Sequence, residues 1–99
     1  MNDQPIRAIG MVWYSLEHYA EIKALMEDGH ALPATYTQWR LQAEQAERQF
    51  RRQGALIVRA HLTPDAFRQH CLRFGKHFDA EGRSHFASWV AQQQYGTSH

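Results

Sequence analysis

The sequence has one cysteine, no apolar run of membrane length and almost no net charge. Cys71 by itself cannot form an internal disulfide, so the stability of the fold must come from packing, and a reducing compartment fits this cysteine usage. The first residues have neither the basic region nor the apolar stretch of a signal peptide. We therefore expect a cytoplasmic protein that does not cross a membrane.

The balance of charges excludes a strong overall attraction to nucleic acid or to an anionic membrane. Eleven Lys and Arg residues stand against ten Asp and Glu residues, which leaves a net charge of +1. The 99 residues, of which 43% are hydrophobic and 21% charged, suit one folded domain. We predict that residues 6–95 form this domain, between a flexible N-terminal tail over residues 1–5 and a frayed tail over residues 96–99.

The first half of the chain predicts a strand, two helices and a second strand. Residues 6–14 are rich in β-branched and aromatic side chains, although Gly10 interrupts them. Ser15 is a candidate N-cap for a helix that stops at Gly29. A long helix that stops at Gly54 begins at one of two candidate caps, Thr35 or Thr37. The clearest strand follows over Ala55–His61. Its alternation places Leu56, Val58 and Ala60 on one face and Ile57, Arg59 and His61 on the other.

The second half of the chain predicts two further helices. Thr63 followed by Pro64 is a strong helix start, and Gly75 ends that helix. Asp79 caps the last helix. The expected inner positions of the last helix are Phe86, Trp89, Val90 and Gln93.

These elements predict a mostly helical α+β fold with the order strand, helix, helix, strand, helix, helix and a short two-stranded ribbon. Two strands alone are marginally stable, so either the four helices pack over the ribbon or its exposed edge pairs with a second chain. The second option predicts a homodimer.

The long helix carries the best-determined surface of the sequence. One narrow apolar seam runs along it, because its apolar residues recur at steps of three and four. The seam consists of Tyr36, Trp39, Ala43, Ala46 and Phe50. With Leu56 and Val58 of the following strand, these are the predicted interaction residues. Trp13 and Tyr14 form a possible aromatic patch beside them, and the alternative is that these rings close a small core.

Several of these residues carry a resemblance to other proteins. They are Trp13 with Tyr14, the run Leu32-Pro33-Ala34-Thr35-Tyr36 with Trp39, Gly54 before a Val-rich strand, Pro64 with Phe67, and Cys71. In this combination the chain resembles a group of short bacterial proteins of unknown function, which share the aromatic start, the Leu-Pro-x-Thr-Tyr helix start and a Pro-x-x-Phe helix before a cysteine. The resemblance spans most of residues 13–90 and implies the same order of elements. No activity is attached to the group, so it implies nothing about mechanism.

Nucleic-acid binding is an alternative function, since arginines at helical spacing can follow phosphates. The candidate contacts are Arg48, Arg51, Arg52 and Arg59, with Arg40 earlier on the helix. However, Glu44 and Glu47 each precede an arginine by four residues, the order that favours pairing within the helix. Much of the positive charge is therefore locally compensated.

A catalytic function is the third alternative. Seven histidines invite a metal site, but no pair of histidines or cysteines has the spacing of zinc ligands, so we predict neither a metal nor another cofactor. Cys71 shares a helical stripe with Phe67 and Phe74, which favours an ordinary buried residue over a nucleophile. No catalytic residue is predicted, and the leading hypothesis is a protein-interaction or self-association module.

Overall fold

A two-stranded parallel sheet forms the middle layer of the protein. In the computed structural model, which describes residues 7–95, strand β1 spans Arg7–Trp13 and strand β2 spans Ala55–His61. The register runs from Arg7 opposite Ala55 to Trp13 opposite His61. Parallel strands need a long crossover connection, and the first two helices lie in it. The predicted tails over residues 1–5 and 96–99, and the strand position at residue 6, lie outside the described residues.

Four helices surround this sheet, and the predicted α+β class and order of elements are confirmed. Helix α1 spans Tyr19–Leu25, α2 spans Tyr36–Arg52, α3 spans Pro64–Phe74 and α4 spans Ala80–Tyr95. A short 3-10 helix at Gly29–Ala31 follows α1.

Three predicted helix caps are made. The Thr35 hydroxyl accepts a hydrogen bond from the Gln38 backbone N–H at 3.2 Å, and the Thr63 hydroxyl accepts one from the Ala66 N–H at the same distance. Asp79 Oδ1 accepts one from the Gly82 N–H at 2.9 Å. Each cap satisfies one of the N–H groups that a helix leaves unpaired at its start. These local signals therefore set where α2, α3 and α4 begin.

The predicted bounds of α1 and one predicted inner residue of α4 are wrong. Helix α1 ends at Leu25 rather than at Gly29, which instead begins the 3-10 helix. Ser15 does not cap α1, because its side chain closes a turn by accepting from the His18 N–H at 3.2 Å, and the helix begins only at Tyr19. Leu16, which a helix starting at Ser15 would contain, lies in the turn and is 72% exposed. Gln93 was expected on the inner side of α4 but is exposed, because Ala91 is the residue that turns inward at this end of the helix.

The sheet lies between two long helices. On one face, Arg59 of β2 bonds to Glu47 of α2. On the other face, Gly10 of β1 meets the backbone of α4 at Ala87. On the face of β2 that carries Leu56, Val58 and Ala60, Val58 is 4% and Ala60 is 0% exposed, whereas Leu56 at the start of the strand is 38% exposed.

One hydrophobic core joins residues from both strands and all four helices. Its most completely buried large side chains are Tyr14, Ile22, Leu62 and Phe67. Within the described residues, no helix is both long enough and apolar enough to cross a membrane.

Candidate functional site

The N-terminal half of the predicted seam is covered within the same chain. Trp39 is 7% and Ala43 is 8% exposed. The Trp39 ring packs against Trp13 at a centroid distance of 5.2 Å and against Tyr14 at 4.7 Å, and Trp13 and Tyr14 are themselves buried. Burial raises the pKa of Tyr14 to about 12, which keeps the phenol neutral. These rings therefore help to close the core, and Tyr36 remains half-buried beside them.

The other half of the seam stays partly open to solvent. Ala46 and Phe50 are half-buried, and Leu56 at the start of β2 is exposed. Val58, two residues further along β2, is buried. Of the seven predicted interaction residues, those near the C-terminal end of α2 are therefore the more accessible.

Arg59 is held by an internal partner. Its guanidinium donates from Nε to Glu47 Oε2 and from an Nη to Glu47 Oε1, both at 2.8 Å. The same guanidinium lies 3.9 Å from the ring centroid of Trp13. Arg59 lowers the pKa of Glu47, mainly by this hydrogen bonding, which keeps the carboxylate charged. The arginine predicted as a phosphate contact thus serves the packing of α2 on the sheet.

The remaining arginines are only partly paired. Arg51 contacts Glu47 Oε2 at 3.4 Å, and Arg40 bonds to Glu44 at 2.9 Å. Arg48 and Arg52 are exposed and make no salt bridge within residues 7–95. The local compensation expected from the sequence is therefore present on α2, although it involves Arg40 and Glu44 rather than Glu44 and Arg48.

In the part of the chain that is described, the cysteine is buried and two of the histidines bond to each other. Cys71 is 4% exposed, and burial raises the pKa of its thiol, which disfavours the thiolate. His70 Nε2 and His85 Nδ1 lie 2.8 Å apart and share a hydrogen bond. Among residues 7–95, no three His, Cys, Asp or Glu side chains converge as metal ligands would.

The feature that the sequence did not reveal is a groove along the outer edge of β1. We call it the β1-edge groove. One part is lined by Gly10, Met11 and Val12 together with residues of α2 and α4, and the adjoining part is lined by Ala8, Ile9 and Gly10 with the C-terminal half of α4. No residue of β2 lines either part, so the groove lies on the side of β1 away from β2. Its helical walls are Trp39, Gln42 and Ala43 of α2 and Ala80, Arg83, Ser84, Ala87, Ser88, Ala91, Gln92, Gln93 and Tyr95 of α4.

The groove is uncharged apart from one neutralised arginine. Arg83 donates two hydrogen bonds to the Asp28 carboxylate, at 2.7 and 2.9 Å, and its side chain is only 12% exposed. This bonding lowers the pKa of Asp28 below its ordinary value. Small side chains such as Ser84, Ser88 and Ala91 leave space along the strand. Such a surface suits a neutral extended backbone better than a polyanion.

One residue of the sequence, Gly10, is related to this groove. Gly10 interrupts the strand pattern of the sequence but lies inside β1, and a Cβ atom there would overlap the carbonyl oxygen of Ala87. The glycine thus lets α4 approach the strand closely, which is one of the physical reasons for a glycine inside a strand. That the outer edge of β1 is open beside α4 is visible only in the tertiary structure.

Comparison with known protein families, with curated proteins and with solved structures finds no match to this chain.

Proposed function

We propose that the protein is a self-association module in which a second copy of the chain adds its own β1 to the β1-edge groove. The observation that supports this most is the open edge of β1, flanked by α2 and α4. A parallel sheet of two strands is small for its class, because parallel sheets are ordinarily larger and covered on both faces. The proposed function is therefore protein interaction without catalysis.

A second copy fits this groove because the outer edge of its β1 also has backbone groups without a strand partner. Backbone N–H and C=O groups on the outer edge of β1 have no strand partner within the described residues. If two such edges pair around a twofold axis, each satisfies the other and the assembly closes as a dimer with a four-stranded sheet. Residues 8–13 carry no charge, so pairing them brings no like charges together.

Several predicted interaction residues adjoin this surface. Trp39 and Ala43, although mostly buried, form part of the groove wall. The rings of Trp13 and Tyr14 pack against the ring of Trp39. In the proposed dimer the half-buried Ile9 and Met11 of β1 become covered. Burial of this apolar surface supplies the favourable free energy of association.

Multi-angle light scattering and sedimentation velocity test the proposal at about 5 to 200 µM protein. We expect the wild type to be a dimer and Ala8→Lys, which places a charge at the exposed end of the groove, to weaken the dimer at least tenfold. Ala20→Lys is the matched control, because Ala20 is exposed on α1 and does not line the groove. It should dimerise like the wild type.

A wild type that remains monomeric at the highest concentration would overturn self-association. A dimer that Ala8→Lys leaves unchanged would show that the interface lies elsewhere, and the C-terminal end of α2 with Phe50 and Leu56 would be the next surface to test. We further propose the cytoplasm as the setting, on the basis of the single unpaired thiol, and a bacterial source, on the basis of the resemblance.

Nucleic-acid binding through α2 is the second candidate. The observation in its favour is that Arg48 and Arg52 are exposed and make no salt bridge among the described residues. Arg59, in contrast, is bonded to Glu47. Binding to phosphates must weaken steeply as salt concentration rises. A fluorescence-anisotropy titration with a labelled oligonucleotide at about 50 and 200 mM salt would reveal this, and an absence of binding at the lower salt would exclude it.

A further inference from the structure

A second concave surface lies between α3 and α4, on the side of α4 away from the β1-edge groove. This aromatic cleft has a volume of about 290 Å³ and is lined by Ala66, Gln69, His70, Arg73, Phe74, Phe86, Trp89 and Val90. The volume is close to the lower end of the range of small-molecule sites, about 300 to 1,000 Å³. The cleft is therefore large enough for a compact ligand of one or two rings.

Four of the eight residues that line the cleft carry aromatic rings. The His70 ring lies 4.6 Å from Phe74, 5.2 Å from Phe86 and 5.4 Å from Trp89, measured between ring centroids. Phe74 and Trp89 are half-buried, so both present ring surface to the opening. Such walls favour a flat aromatic group, which stacks on them with little loss of conformational freedom.

His70 contributes a mostly buried imidazole to the cleft. The side chain is 5% exposed, and Nε2 is bonded to His85. Nδ1 makes no hydrogen bond within residues 7–95, and His70 is one of the residues that line the cleft. A mostly buried polar atom in this position provides a fixed hydrogen-bonding group.

Arg73 supplies a positive charge at the rim. Its guanidinium lies 4.9 Å from the Phe74 centroid and 5.9 Å from that of Trp89, and it makes no salt bridge within residues 7–95. None of the residues that line the cleft is acidic. A guanidinium held against aromatic rings binds a carboxylate in a bidentate manner.

From these three features we propose that the cleft between α3 and α4 binds a small planar aromatic carboxylate. The ring lies against Phe74 and Trp89, the carboxylate pairs with Arg73, and a polar edge of the ligand bonds to His70 Nδ1. The site does not depend on self-association, because α4 presents Phe86, Trp89 and Val90 to the cleft and Ser84, Ser88 and Ala91 to the β1-edge groove.

A titration with 2-naphthoate, followed by the indole N–H resonance of Trp89 in NMR spectra, tests the proposal. The resonance is assigned with Trp89→Phe, and Trp13 and Trp39 serve as internal references because they lie outside the cleft. We expect a saturable shift at Trp89 only. Arg73→Gln should weaken binding at least tenfold, whereas Arg68→Gln, on the same helix but outside the cleft, should not change it.

The uncharged analogue 2-naphthamide separates the roles of charge and ring. It should bind at least tenfold more weakly than 2-naphthoate to the wild type and equally weakly to Arg73→Gln. No saturable shift up to about 5 mM 2-naphthoate, a shift at Trp13 or Trp39 instead, or equal affinity for acid and amide would each overturn the proposal. Arg73 is exposed, so circular dichroism is expected to show an unchanged fold in the variant.

Discussion

At the scale of the residue, Glu47 shows how a surface charge pattern can conceal a buried group. In the sequence, Glu47 stands four residues before Arg51, a spacing that predicts a salt bridge with Arg51 on the surface of the helix. In the structure its side chain is 7% exposed and is bonded chiefly to Arg59, a residue of β2 twelve positions away. The carboxylate therefore joins α2 to the sheet, and its loss should affect the tertiary structure.

We predict that Glu47→Gln lowers the free energy of unfolding by about 1 to 2 kcal/mol, because Arg59 loses a charged bidentate partner but stays partly hydrated. Urea unfolding at pH 7 measures this. Glu44→Gln removes the exposed pair with Arg40 and should change stability by less than about 0.5 kcal/mol. Equal effects of the two substitutions would contradict the distinct role assigned to Glu47.

We predict that the folded protein loses stability in mild acid because of His70. Burial, followed by His85, Arg73 and Lys76, lowers the pKa of His70 below its ordinary value of 6.5. The unfolded chain therefore binds a proton at a pH at which the folded chain does not, and stability falls as the pH drops below about 6.5. One such group changes the free energy of unfolding by at most about 1.4 kcal/mol per pH unit.

Urea unfolding at pH 7.5 and at pH 5.5 tests this sign. The wild type should lose more stability between the two values than His70→Gln, in which the group is absent while the other histidines still titrate. An equal loss in both proteins would show that His70 is not responsible.

At the scale of the element, α4 is positioned by a close contact with β1. Gly10 lies against the Ala87 backbone, and Ala91 also lies within reach of an added Cβ atom. Even the small side chain of alanine at position 10 would force the helix away from the sheet. The glycine that weakens the strand pattern in the sequence is therefore required by the layer that covers it.

Gly10→Ala should lower the free energy of unfolding by about 2 to 3 kcal/mol, because the new methyl group overlaps backbone atoms that cannot rotate away. Thermal and urea unfolding provide the measurement. Gly75→Ala is a useful comparison, since nothing lies near an added Cβ atom there and only the positive φ of 67° is strained, which should cost about 1 kcal/mol. A Gly10→Ala protein as stable as the wild type would contradict the observed packing of α4.

At the scale of the whole molecule, two long helices enclose a sheet of only two strands. Helix α2 has 17 residues and α4 has 16, so each is about 25 Å long. Between them lie two strands of seven residues, and the outer edge of β1 remains open among the described residues. The open strand edge between two long helices is the physical basis for proposing that a further strand enters the groove.

Features that depend on neighbours along the chain could be predicted from the order of the residues. Caps at Thr35, Thr63 and Asp79 and the alternation in β2 act within a few residues, so the order of elements and most of their starts follow from local chemistry. Ser15 misled because a serine can close a turn as readily as it can cap a helix.

The tertiary structure alone decided what depends on residues distant in the sequence. The parallel pairing of β1 with β2, the bond between Glu47 and Arg59, the aromatic cleft and the β1-edge groove each join separate elements. No local pattern specifies how two elements approach each other, because that choice is set by the packing of all of them around one core.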